Sequence, residues 1–134
     1  MTIRGWKTQF NEIRKEFGYL EKDDLISVKK LDSILKGKNS KNQLQKIIKD
    51  KTVFIIGAGP SLTKSLKHIK NSENVVKIVA DGAVKALIEK NIKPDILVTD
   101  LDGDLESIEK IGKTKIPIIV HAHGDNYEKL EIVK

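Results

Sequence analysis

Apolar residues recur at helical spacing through the first fifty positions, and beyond Asp50 they gather into short unbroken runs. Trp6, Phe10, Ile13 and Phe17 lie four, three and four residues apart, which predicts one amphipathic helix ended by Gly18. The expected role of this stripe is packing between helices. A second helix is predicted to start at an Asp23 or Asp24 cap, to carry Leu25, Val28, Leu31 and Leu35, and to close at Gly37. A third, short helix is predicted to open at Ser40 and to run through Leu44, Ile47 and Ile48.

After Asp50 the texture becomes strand, turn and helix, repeated. Thr52–Ile56, Val75–Ala80, Asp95–Thr99 and Ile116–Val120 are β-branched and lack polar alternation, as in strands covered on both faces. Helical stretches lie between them at Ser61–Lys70, Ala83–Lys90 and Leu105–Ile111, and a last helix is expected from about Asp125. Alternation of this kind implies parallel strands joined by right-handed crossovers. The expected class is α/β: a parallel, Rossmann-like sheet of about four strands with flanking helices, preceded by an α-helical N-terminal segment. The expected division is a helical segment over 1–50 and an α/β domain over 51–134.

Composition narrows the function classes. The chain has 134 residues, 39% hydrophobic and 33% charged, which is enough apolar material for a core. It has no cysteine, so a disulfide framework, thiolate metal site or thiol nucleophile is excluded. No run of 18 apolar residues and no charged-then-apolar leader occurs, so the expectation is a cytoplasmic protein without a membrane partner. The net charge is +6, but only Arg4 and Arg14 of the 25 basic residues are arginine. The excess sits in residues 1–50, with 12 basic against 7 acidic residues, whereas 51–134 carry 13 against 12. Lysine without arginine forks or interleaved aromatics argues for solvated helices rather than nucleic-acid binding.

Chemistry-bearing residues collect after the strands, at the sheet edge where α/β proteins bind ligands. The first strand runs into Gly57-Ala58-Gly59-Pro60-Ser61-Leu62, the second into Asp81-Gly82, the third into Asp100-Leu101-Asp102-Gly103-Asp104, and the fourth into His121-Ala122-His123-Gly124-Asp125-Asn126. Gly57 and Gly59 would let backbone approach a phosphate at a helix start, with Ser61 as helix cap or phosphate donor. Asp100 and Asp102, two apart in extended backbone, would point to one side and share a hard cation such as Mg2+ beside a nucleotide. Asp104 suits a helix cap as well as it suits a site, and Glu106 suits the helix dipole. His121 and His123 alternate in the same way and could touch phosphate or metal, whereas Asp125 and Asn126 could equally be caps.

Two other readings compete. A dinucleotide fingerprint would use Gly57, Gly59 and Asp81, but Leu62 stands at the third glycine position. The Asp100-Leu101-Asp102-Gly103 run resembles the loop of haloacid-dehalogenase-like phosphatases, in which Asp100 would be the nucleophile. That loop normally follows the first strand of its domain.

Taken together, the four strand-end motifs and Pro94-Asp95 resemble the archaeal 6-hydroxymethyl-7,8-dihydropterin diphosphokinases, whose catalytic domain is similar to thiamin pyrophosphokinase. The tryptophan helix and Phe17-Gly18-Tyr19 extend the resemblance over most of the chain. It implies transfer of diphosphate from ATP, as co-substrate, to the hydroxymethyl group of the reduced pterin, giving AMP, with Mg2+ required, in methanopterin biosynthesis. It further implies Asp100 and Asp102 as Mg2+ ligands, Gly57, Gly59 and Ser61 as phosphate contacts, and Asp81 as a further ligand or substrate anchor. His121, His123 and Asp125 become candidate charge stabilisers or proton acceptors. Family members continue with another Gly-, Thr- and Asp-containing segment, so the resemblance implies that 51–134 is a nucleotide-binding catalytic domain that is incomplete. A non-catalytic nucleotide or nucleotide-sugar binding module, like the bacterial flagellin-glycosylation proteins that share these motifs, is the alternative. Homo-oligomerisation is an open expectation.

Overall fold

A computed structural model describes residues 4–37 and 41–133, so the cap expected at Ser40 lies outside the described residues. The chain divides into two compact units, one of Lys38–His121 and one of Met1–Gly37 with Ala122–Lys134.

The first unit is the α/β part. After α3 (Lys41–Ile48), it runs β1 (Val53–Ile56), α4 (Leu62–Asn71), β2 (Val76–Ala80), α5 (Asp81–Glu89), β3 (Ile96–Thr99), α6 (Leu105–Gly112) and β4 (Ile118–Val120). The sheet is parallel throughout, in the order β1-β2-β3-β4, with Ile55 opposite Ile78, Val79 opposite Leu97, and Thr99 opposite Val120. With right-handed crossovers, a sheet laid down in chain order places α4, α5 and α6 on one face. Val79, Leu97, Ala83, Val84 and Leu87 are buried there, where β2 and β3 meet α5. Ile55, on the edge strand, is 86% exposed. The strands are one or two residues shorter than their apolar runs, a difference confined to the fraying ends of the ladder.

β2 passes into α5 without a loop. Ala80 is still extended and Asp81 is already helical, so the helix starts two residues before the expected Ala83. A carboxylate in the first turn suits the helix dipole, and Asp81 Oδ1 accepts the Gly82 N–H at 2.7 Å.

The second unit holds α1 (Trp6–Glu16) and α2 (Glu21–Leu35) together with two 3-10 segments, Gly124–Asn126 and Glu128–Val133. Two expectations change here. No residue of α1 is buried: its aromatic stripe is exposed, from 43% at Phe10 to 64% at Phe17. Instead of filling a core, these side chains lie against one another. Trp6 stacks on Phe10, and Arg14 stands over the Phe10 ring. In α2 the covered face runs through Ser27 and Leu31, while Leu25 and Val28 are exposed. The covered face is set by the C-terminal segment: Asp24 Oδ1 accepts the Gly124 N–H at 2.9 Å, and Lys30 Nζ donates to the Tyr127 carbonyl and pairs with Glu131. Asp23 and Asp24 therefore lie inside the first turn of α2 rather than capping it.

The last helix, expected from Asp125, is a pair of 3-10 turns. The His123 side chain accepts the Asn126 amide, and Asn126 Oδ1 accepts the His123 N–H at 3.0 Å, which closes a capping box over a three-residue turn. None of the described helices is long and apolar enough to cross a membrane.

Candidate functional site

Three carboxylates converge where β2 and β3 end. Asp81, Asp100 and Asp102 each offer an oxygen, and the three oxygens lie within 4.8 Å of one another. Asp81 comes from the first turn of α5 and is 9% exposed; Asp100 is half-buried and Asp102 is exposed.

The convergence of Asp100 and Asp102 does not come from strand alternation, as expected. β3 ends at Thr99, and Leu101 turns into the left-handed region at φ 68° with its side chain buried. That turn, unfavourable for a residue with a Cβ, sits between the two aspartates.

Thr99 fixes the arrangement from below. It is 2% exposed, its Oγ1 donates to Asp81 Oδ2 at 2.6 Å, and the same oxygen accepts the Leu101 N–H at 2.8 Å. Gly103 lets the loop close onto Asp81: a Cβ there would lie 2.9 Å from both Cβ and Cγ of Asp81. Sequence reasoning missed both residues. The available signal was a threonine directly before the acidic run, where β-branching also explains it as an ordinary strand residue.

The glycine loop borders the same place. A Cβ on Gly82, next to Asp81, would lie 3.2 Å from the Ala58 Cβ, so the loop after β1 touches the start of α5. Gly57 and Gly59 are exposed, neither has a positive φ, and a Cβ on either would meet nothing within 4 Å. Neither backbone conformation nor packing requires glycine at these positions. Ser61 precedes α4 but makes no side-chain cap; its carbonyl accepts both the amide and the hydroxyl of Ser65.

Asp104 is the N-cap of α6, accepting the Ser107 amide at 3.0 Å and the Ser107 hydroxyl. The Ser107 hydroxyl, then its amide, and more weakly the Lys85 ammonium hold the Asp104 carboxyl below its ordinary range. Glu106 is likewise lowered, by its hydrogen bond and ion pair with Lys110.

His121, which is exposed, follows β4, and its N–H donates to the Thr99 carbonyl at 2.8 Å, so it sits in register with the strand that carries the acids. His123 and Asp125 belong to the other unit, where His123 shapes the 3-10 turn already described and Asp125 is exposed.

Comparison with known proteins decides the family. The model of the MptE-like family, described as 6-hydroxymethylpterin diphosphokinase MptE-like, matches residues 27–134. The chain belongs to this family. Three curated proteins named 6-hydroxymethyl-7,8-dihydropterin pyrophosphokinase are similar over nearly its whole length. The protein from Methanocaldococcus jannaschii is 43% identical, covering 98% of this chain and 57% of its own. Those from Pyrococcus furiosus and Methanothermobacter thermautotrophicus are 40% and 33% identical, over 96% and 97% of this chain and 55% and 56% of theirs. The chain thus spans a little over half the length of these MptE-like relatives. The matched range spans all four strand ends and the β1 loop.

Proposed function

We propose that this protein transfers diphosphate from ATP to the hydroxymethyl oxygen of 6-hydroxymethyl-7,8-dihydropterin, releasing AMP. The observation that carries the reading is the convergence of Asp81, Asp100 and Asp102 from two neighbouring strand ends in a chain of this family. Three like charges at this spacing repel, and an all-oxygen donor set is what a hard divalent cation takes. Asp81, Asp100 and Asp102 would hold Mg2+, which when bound supplies positive charge to the diphosphate oxygens.

The chain's own groups do the rest. The uncrowded backbone at Gly57 and Gly59 leaves space for a phosphate against the amides that lead into α4, and the Ser61 hydroxyl is available as a donor. The pterin alcohol attacks the β-phosphorus, the bond from that phosphorus to the oxygen bridging it to the α-phosphate breaks, and AMP leaves with that oxygen. The alcohol proton passes to a base, for which His121 is the candidate in register with β3. His123 takes the part of shaping its own loop. Positioning and charge supply most of the acceleration in such transfers.

The test is incubation of the protein with Mg·ATP and the reduced pterin, with nucleotides separated by chromatography. AMP and pterin diphosphate in equal amounts are expected; ADP or inorganic phosphate overturns the reading. ATP retained without turnover points to a binding module. Asp102→Asn is expected to lower turnover at least about 100-fold while shifting the melting temperature by only a few degrees, since the side chain is exposed.

A further inference from the structure

Thr99 is a strand residue with more connections than its place in the ladder requires. It is almost fully buried at the last position of β3, between the two stretches that bring the carboxylates. Its hydroxyl has one hydrogen, and that hydrogen goes to Asp81 Oδ2 at 2.6 Å. The direction follows from the partner, because a carboxylate oxygen can only accept, and the hydroxyl's own lone pairs leave it able to accept the Leu101 N–H at 2.8 Å as well. Its carbonyl accepts the His121 N–H from the end of β4. One residue therefore ties the acid that follows β2, the acidic loop after β3 and the histidine that follows β4.

The bond to Leu101 matters because of the conformation there. Leu101 has φ 68°, a region that disfavours side chains, and its amide is held at the turn by the Thr99 hydroxyl. On the other side, Asp81 has Oδ1 on the Gly82 amide and Oδ2 on Thr99, so its carboxylate plane is fixed by two partners. Gly103 completes the fit by allowing the loop down to Asp81.

We infer that Thr99 is the positioning residue of the carboxylate cluster: its hydroxyl orients Asp81 and holds the Leu101 turn so that Asp81, Asp100 and Asp102 face one cation. This inference rests on reading that cluster as a cation site. Removing the hydroxyl leaves two buried polar groups without this partner and lets the three carboxylates relax apart. Partners of this kind behind metal ligands typically govern 10- to 100-fold in affinity.

The experiment uses Mn2+ alone as the probe, titrated into the full chain and followed by electron paramagnetic resonance of the unbound ion. Thr99→Val keeps the shape and removes the hydroxyl; Thr99→Ser keeps the hydroxyl. Thr99→Val is expected to weaken Mn2+ binding about 10- to 100-fold and Thr99→Ser by less than about threefold. Thermal melting shows that each variant is folded. Unchanged binding by Thr99→Val overturns the inference and leaves the cation site standing. Equal weakening in both variants also overturns it, because the methyl group and not the hydroxyl is then what counts. If Thr99→Val does not fold, Thr99→Ser decides: loss of more than about tenfold overturns the inference, and near-normal affinity supports it. Absence of Mn2+ binding in the unsubstituted protein overturns the cation site itself, and the inference with it.

Discussion

Ser27 shows how one residue's environment sets a measurable stability. It sits in the middle of α2, fully buried, and among the described residues its hydroxyl has no hydrogen-bond partner. A buried polar group of this kind costs roughly 1–3 kcal/mol, and serine is also a poorer helix former than alanine by about half a kcal/mol. Ser27→Ala is therefore expected to stabilise the protein, by about 1 kcal/mol after allowing for a small void. Urea unfolding should show a higher midpoint at unchanged slope. The same accounting separates Thr99 from Ser27. Both are buried hydroxyls, but Thr99 has a donor and an acceptor satisfied, so removing its oxygen destabilises what removing Ser27's oxygen relieves.

Among the elements, α6 depends most visibly on a single cap. Asp104 accepts from the Ser107 amide and hydroxyl, and its carboxyl lies below the ordinary range because of them. A folded-state value below the unfolded one means that the contribution is complete above the unfolded value and is lost as pH falls through the folded one. Asp104→Ala is expected to lower the melting temperature by a few degrees at neutral pH. Below the carboxylate range the two proteins should converge, and a constant difference down to strong acid would contradict the cap. Much of the element plan was legible in the chain. An unbroken run such as Val53–Ile56 marks a parallel strand, but the expected cover on both faces fails at the edge, where Ile55 is 86% exposed. What hid was whatever depends on a partner distant in sequence. Whether the α1 stripe is covered, which face of α2 is inside, and whether 124–133 winds as α or 3-10 all turn on contacts that periodicity does not encode. At the candidate site the residue types were legible, but the left-handed turn at Leu101 was not, since nothing in leucine advertises it.

At the scale of the whole molecule, the two units are built by opposite rules. In the sheet, each strand pairs only with its predecessor and successor in the chain. In the other unit, Asp24 meets Gly124 across 100 positions and Lys30 meets Tyr127 across 97. Local pairings close small loops and form fast, whereas joining segments so far apart carries a larger entropic cost. The β-ladder can thus grow in the order in which a ribosome delivers it, every new strand finding its neighbour already in place. The clasp between α2 and the 3-10 turns must wait until residues 124–133 have emerged. Pulse-labelled hydrogen exchange during refolding should protect the Val79 and Leu97 amides before that of Gly124. Simultaneous protection would mean that residues 124–133 are recruited while the ladder is still assembling, and that loop length leaves no mark on the order in which the two units form.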